Sequence, residues 1–225
     1  MSARKTISRA VGCAILSGAA FGPVFAGTSD FDSVQEFSGT QGQGNWQYGY
    51  YTSSGDANSF VMMSYYNSAE WDWASNGWTE SQQYSPITTL WAHGGHPNGP
   101  NNGPVHDAVR RWTSGADGVV HIQGTYSTTT VWGSTRVGVI ADNVWIWSDL
   151  ASGYGVKTFE VSRSVSTGSH IDFFINSNGL DYDDSTNFAF VGEVGPVPEP
   201  EMYVLALVGL AVVVSSVRRQ RAATS

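Results

Sequence analysis

The stretch Val119-Val120-His121-Ile122-Gln123-Gly124-Thr125-Tyr126 alternates with a period of two. Val120, Ile122 and Tyr126 fall on one face and His121, Gln123 and Thr125 on the other, as in a strand with one side buried and one side wet. Working outward, Ser134 to Ala141 sets Val137, Val139 and Ala141 against Arg136 and Ile140. Asp142-Asn143 is a turn signal, and Val144 to Trp147 reads as the returning strand. Lys157 to Val161, His170 to Ile175 and Phe188 to Val194 follow at hairpin-like spacing, and Phe60 to Tyr66 and Thr88 to Ala92 precede. No stretch between Gly27 and Gly195 carries sustained helical periodicity. About eight short strands with loop signals between them predict an all-β fold, a single antiparallel β-sandwich or jelly roll. The lack of tandem repeats argues against a propeller or solenoid.

Composition agrees. All nine Trp and most of the 26 Gly lie between the two terminal segments, among much Ser, Thr and Asn. Aromatic and β-branched runs punctuated by glycine suit strands and turns. The one cysteine, Cys13, sits near the start, so a body without it has no disulfide and must be held by packing. A domain of about 170 residues buries enough surface for that. Charge is segregated. Arg110, Arg111, Arg136, Lys157 and Arg163 are the five cations facing seventeen acids between Asp30 and Glu193. Such a body repels phosphate backbones, which argues against a nucleic-acid partner.

The ends read as address labels. Residues 1–26 have a basic start at Arg4, Lys5 and Arg9, an apolar run from Ala10 to Phe21 and the small-residue exit Val24-Phe25-Ala26. This is the pattern of a signal peptide handed to the secretion machinery. The body is then 27–195. In the tail, 196–221, Met202 to Val217 carries no charge. As a transmembrane helix its sixteen residues span ~24 Å, short of a ~30 Å hydrocarbon core. Arg218, Arg219 and Arg221 would stay cytoplasmic, leaving the body on the far side of the membrane.

Val197-Pro198-Glu199-Pro200, an apolar segment and Arg218-Arg219-Gln220-Arg221, in that order at the C-terminus, resemble the PEP-CTERM sorting signal of Gram-negative bacteria. That resemblance implies recognition by an exosortase, a membrane cysteine protease acting near Pro-Glu-Pro. It also implies delivery to the cell envelope or an extracellular matrix of exopolysaccharide and biofilm. Pro198 and Pro200 keep the backbone extended, as a protease site requires. The body resembles the galactose-binding-like or carbohydrate-module jelly rolls often joined to such signals. The residues concerned are His96-Pro97, Ala108-Val109-Arg110-Arg111-Trp112, Gly118 to Gly124, Gly168-Ser169-His170-Ile171-Asp172-Phe173 and Asp183-Asp184-Ser185-Thr186. This second resemblance implies a jelly-roll body of a kind that can bind carbohydrate. It also hints that His96 meets the Asp183-Asp184 loop.

Several clusters are candidate sites. Trp71, Trp73 and Trp78, beside Asn76, Glu80, Gln82 and Gln83, offer flat aromatic surface next to hydrogen-bonding groups, which is what a sugar ring stacks on. Trp46, Tyr48, Tyr50 and Tyr51 form a second aromatic stripe, and either set could instead be core. Asp181, Asp183 and Asp184 concentrate three carboxylates in one loop, a chemistry suited to calcium, or else a solvated turn whose side chains cap backbone groups. His93, His96 and His106 lie in a Gly- and Pro-rich loop, a poor scaffold for zinc. There is no Gly-x-Ser-x-Gly elbow and no His-Glu-x-x-His motif. For a glycan-active hydrolase, the rival to a binding or purely structural role, the acids to inspect are Glu70, Asp72 and Glu80.

Overall fold

A computed structural model of the chain describes residues 31–68, 76–82, 85–195 and 210. Within them lie fourteen strands. The first seven are short: β1 (Phe31–Asp32), β2 (Trp46–Tyr51), β3 (Phe60–Met62), β4 (Tyr65–Asn67), β5 (Gly77–Thr79), β6 (Thr89–Trp91) and β7 (Gly94–His96). The later ones are longer: β8 (Asp107–Thr113), β9 (Gly118–Thr128), β10 (Ser134–Ala141), β11 (Val144–Ser152), β12 (Lys157–Val165), β13 (His170–Asn176) and β14 (Thr186–Gly195). Every pairing is antiparallel. An eight-stranded sheet runs β12-β9-β14-β7-β6-β5-β4, with β1 also on β14, and a six-stranded sheet runs β11-β10-β13-β8-β2-β3. The chain is a β-sandwich. Among the described residues no helix is long and apolar enough to cross a membrane.

Alternation explains the core. Val120, Ile122 and Tyr126 of β9 and Phe188 and Phe190 of β14 point inward from the larger sheet. Val137, Val139 and Ala141 of β10 and Ile171, Phe173 and Ile175 of β13 meet them from the smaller one. Phe173 stacks on Phe190 across the interface at 3.6 Å between ring centroids. Burying side chains of this size stabilises by about 1.5–3 kcal/mol each. The Asp142-Asn143 turn closes the β10–β11 hairpin with φ of 46° and 64°, the left-handed pair that matches the strands' twist.

Three features refine the sequence reading. First, Ile140 does not face water. Together with Tyr51, Val109 and Phe174 it forms a second apolar cluster on the outer side of the smaller sheet. The β2–β3 loop, residues 52–59, folds back over that side and supplies Ala57. Asp107 accepts from Gly55 N–H at 2.8 Å, Arg111 donates to Ala57 O at 2.9 Å, and Asn143 donates to Asn58 at 2.7 Å. Second, Phe60 to Tyr66 is two strands in two different sheets. Met63, 2% exposed, turns into the core between them, and its N–H donates to Tyr48 O. Third, of the two readings open for the aromatic stripe of β2, packing is the one found: Trp46 and Tyr48 lie in the core and Tyr51 in the outer cluster, all buried. Glycine is required at Gly49, where a Cβ would collide with Val61 O on β3.

Candidate functional site

Loops 129–133, 153–156 and 177–185 emerge side by side at one end of the sandwich, because β9, β11 and β13 all finish there. Backbone and hydroxyl contacts join them. Thr129 N–H donates to Ser185 O at 2.8 Å, and Thr128 Oγ1 donates to Gly153 O at 2.7 Å. Thr130 Oγ1 reaches Asp183 O, and Ser134 N–H reaches Asp184 Oδ1 at 3.1 Å. On these tied loops stand Trp132, 80% exposed, Tyr182, 67%, and Tyr154, 64%. Val131, Val156 and Leu180 are exposed beside them. Large apolar side chains on neighbouring loops at one end of the sandwich make this rim a candidate contact surface. Strand alternation gives no warning of this rim, since each loop contributes one aromatic residue and none has a periodic pattern. The cue was Trp or Tyr flanked by Gly, Ser, Thr or Asp in a turn.

The aspartates of the third loop are placed unequally. Asp181 is buried and receives Gly99 N–H at 2.8 Å, Asn102 Nδ2 at 2.9 Å and Asn101 Nδ2. Burial alone would raise its pKa, but these donors outweigh it and hold the carboxyl below the usual range. Asp184 is also buried, and burial, with Asp181 and Asp183 nearby, pushes it up to about 7 despite the Ser134 N–H. Its Oδ2 has no hydrogen-bond partner. Asp183 is exposed in a left-handed turn with φ of 61°. The three carboxylates named as calcium candidates are therefore used differently. The Asp181 oxygens already serve amide donors, and among the described residues no cluster of His, Cys, Asp and Glu forms a metal-holding group. Asp181 instead locks the 97–106 loop to the rim. His96 does lie beside this loop. Its Nδ1 is 2.7 Å from Pro97 O, and burial lowers its pKa while Asp181 and Asp183 oppose the shift.

Trp78 is not a surface platform. It is 5% exposed, stacks on Tyr48 at 5.7 Å and donates from its indole to Ser38 O at 2.8 Å. It sits on β5 between β4 and β6, where its ring fills the core. Glu80 is similarly committed. Its Oε2 accepts from Thr88 Oγ1 at 2.7 Å, and its Oε1 lies 2.7 Å from His106 Nδ1. That approach is off hydrogen-bond angle, so the attraction is one of charge when the imidazole is protonated. Trp71, Trp73, Glu70 and Asp72 lie outside the described residues. So do the leader 1–26, the sorting residues Val197, Pro198, Glu199, Pro200, Arg218, Arg219 and Arg221, and all of 202–217 except Leu210.

No protein-family model matches the chain, and no curated protein matches it. Solved structures do overlap part of it. One contains the CBM51-2 and INT domains of Clostridium perfringens ZmpB, at TM-score 0.33 and 10% identity over 46% of this chain; the match spans only 26% of that chain's length. Another is the CBM36-1 domain of a multidomain xylanase from the hindgut metagenome of Trinervitermes trinervoides, at 0.32 and 10% identity, covering 46% of this chain and 88% of that one. A third is pika GITRL, at 0.29 and 15% identity, covering 51% and 92%. Overlap at this level carries no functional argument. The sandwich stands on its own strand pairing and core.

Proposed function

We propose that this chain is an exported, glycan-binding surface protein, in which a jelly-roll-type sandwich grips polysaccharide with the rim of Trp132, Tyr154 and Tyr182. The observation that carries the reading is the exposure of those three rings on loops fixed to one another at one end of the fold. Aromatic faces bury the apolar side of a sugar ring, and nearby hydroxyls and amides take its polar edges. The reading is of a binding module and not an enzyme. In its support, Glu80, the one described residue among the acids singled out for a hydrolase, is held by Thr88 and His106. The sequence pattern of 1–26 and 196–221 supplies the route: secretion, exosortase recognition at Val197 to Pro200, brief anchorage by 202–217, then release to the envelope or a biofilm matrix.

The test is retention of the full-length protein, in detergent, on gels containing neutral and anionic polysaccharides. Retention that falls when Trp132→Ala and Tyr154→Ala are combined, at unchanged thermal stability, is the expected result. Absence of retention on every glycan would leave a purely structural surface protein. For the route, the mass of the protein recovered from the cell surface is expected to lack the residues after the Pro-Glu-Pro segment. A chain still ending at Ser225 would reject processing.

A further inference from the structure

The outer face of the larger sheet carries a groove that opens on the rim. Registered rows cross it: Thr158, Thr125 and Ala189 stand abreast on β12, β9 and β14, and Glu160, Gln123 and Val191 form the next row. A depression of about 680 Å³ lies over these rows, walled by Val34 and Gln35 of the turn after β1. A second of about 360 Å³ continues it, sharing Thr125 and Ala189 and adding Ser127, Asn187, His93 and Val156. Val156 belongs to loop 153–156 of the rim, so groove and rim share a wall. From Val191 to Asn187 the path follows ~13 Å of strand, enough for a short run of sugar rings.

The lining has a definite chemistry. Thr125, Thr158, Gln123 and Asn187 supply hydroxyls and amides, Phe159 and Val191 supply apolar surface between them, and no lysine or arginine lines either depression. Its carboxylates are Glu160 and Asp32, the latter already accepting Val34 N–H and Gln35 N–H. Lys157, near the rim, is tied to Asp149 at 3.2 Å and to Leu150 O at 2.7 Å. A polyanion would meet negative charge with no counter-ion, whereas an uncharged polyol finds donors and acceptors along the whole path.

We infer that the groove takes an internal stretch of a linear, uncharged polysaccharide whose chain continues over the aromatic rim. This rests on the glycan reading of the rim and adds chain type, charge class and a second surface. The experiment is affinity electrophoresis of the full-length protein in linear neutral glucan, mannan, xylan and galactan and in alginate and hyaluronate. Calorimetry with di- and hexasaccharides of the best ligand accompanies it. Thr125→Trp fills the groove floor, and Thr158→Trp does so from the edge strand, where an aromatic residue is well tolerated. Either is expected to weaken binding of the neutral polymer about tenfold and to erase the preference for the hexasaccharide, with thermal stability retained. If both tryptophan variants bind like the unaltered protein while Trp132→Ala abolishes binding, the rim stands and the groove inference falls. Stronger retention by alginate or hyaluronate overturns the charge assignment. If no glycan is retained at all, rim and groove fall together.

Discussion

The Tyr51 hydroxyl donates to Asp172 Oδ2 at 2.6 Å across 121 residues of chain, joining β2 to β13 through the strand between them. Arg111 of that middle strand completes the cluster, with Nε and Nη2 each 2.7 Å from an Asp172 oxygen. Its guanidinium lies 4.0 Å over the Phe60 ring. The same Nη2 donates to Ala57 O, so the cluster also pins the loop that covers the outer apolar patch. An exposed row of a sheet has become a buried one because these three polar groups satisfy one another beneath a loop.

Removing one partner strands the others. Tyr51→Phe is expected to cost about 1.5–3 kcal/mol, the loss of one buried hydrogen bond to a charged group. Asp172→Ala, which leaves the Arg111 cation without its anion, is expected to cost about 3–5 kcal/mol. Urea unfolding followed by tryptophan fluorescence measures both. Equal stability of Tyr51→Phe and the unaltered protein would show that the hydroxyl contributes nothing.

Two tryptophans separate stability from binding. Trp78→Ala removes a ring packed between Tyr48 and Tyr66 and is expected to cost about 3–5 kcal/mol. Trp132→Ala removes a ring that is mostly in water and is expected to change stability by less than about 0.5 kcal/mol. Glycan retention should respond in the opposite order once both proteins are folded. Retention lost in Trp78→Ala at full foldedness would move the contact surface away from the rim.

How much of this was written in the sequence depends on periodicity. The later strands were legible because β9, β10, β13 and β14 alternate over long runs. Their ends ran further than the apolar pattern, as with β12, which extends to Val165 on polar residues paired to β9. The strand β8 was obscured by Arg110-Arg111, two cations in a strand whose alternate positions are core. Here Arg110 points into the core and Arg111 under the covering loop, and only partners distant in sequence make either tolerable. Trp78 shows the converse limit. Polar neighbours made it look exposed, but three short strands brought Tyr48 and Tyr66 onto its faces. The rim escaped because its members come from three separate loops, and nothing local reveals that their turns converge.

The rim should also sense pH through Asp184. Its folded pKa, about 7, lies above the 3.8 of an ordinary aspartate, so the folded state binds more protons than the unfolded one between those values. Stability contributed by the protonated carboxyl is present at the acidic end and falls as pH rises from about 4 to about 7. Asp184→Asn removes the ionisation. Loop relaxation reduces the full linkage value, so the variant is expected to gain on the order of 1–2 kcal/mol at pH 8 and little at pH 4. Thermal melts across that range measure it. A difference between the two proteins that does not grow with pH would place the carboxylate in water.

Arg110 makes the strongest demand on the core. It is 3% exposed and has no carboxylate partner among the described residues. Burial lowers its pKa to about 10, which still leaves it charged at neutral pH. The charge is distributed over carbonyls: Ser33 O at 3.0 Å, Ala92 O at 3.0 Å, Gly94 O at 3.1 Å and Trp91 O, with the Phe37 ring at 5.4 Å. These acceptors belong to the turn after β1 and to the β6–β7 turn, both on the larger sheet, while Arg110 rises from the smaller one. One guanidinium therefore ties the sheets together and fixes the turn that walls the groove. Lysine keeps the charge but loses the planar fork that reaches several carbonyls at once. Arg110→Lys is thus expected to cost about 2–3 kcal/mol, and Arg110→Met, which takes this donor from all four carbonyls, more than that. Limited proteolysis should then cut first near residues 33–37, because Ser33 loses this anchor. If Arg110→Met proves as stable as the unaltered protein, with 33–37 still protected, the carbonyls have other donors and the cation is not what holds the sheets together.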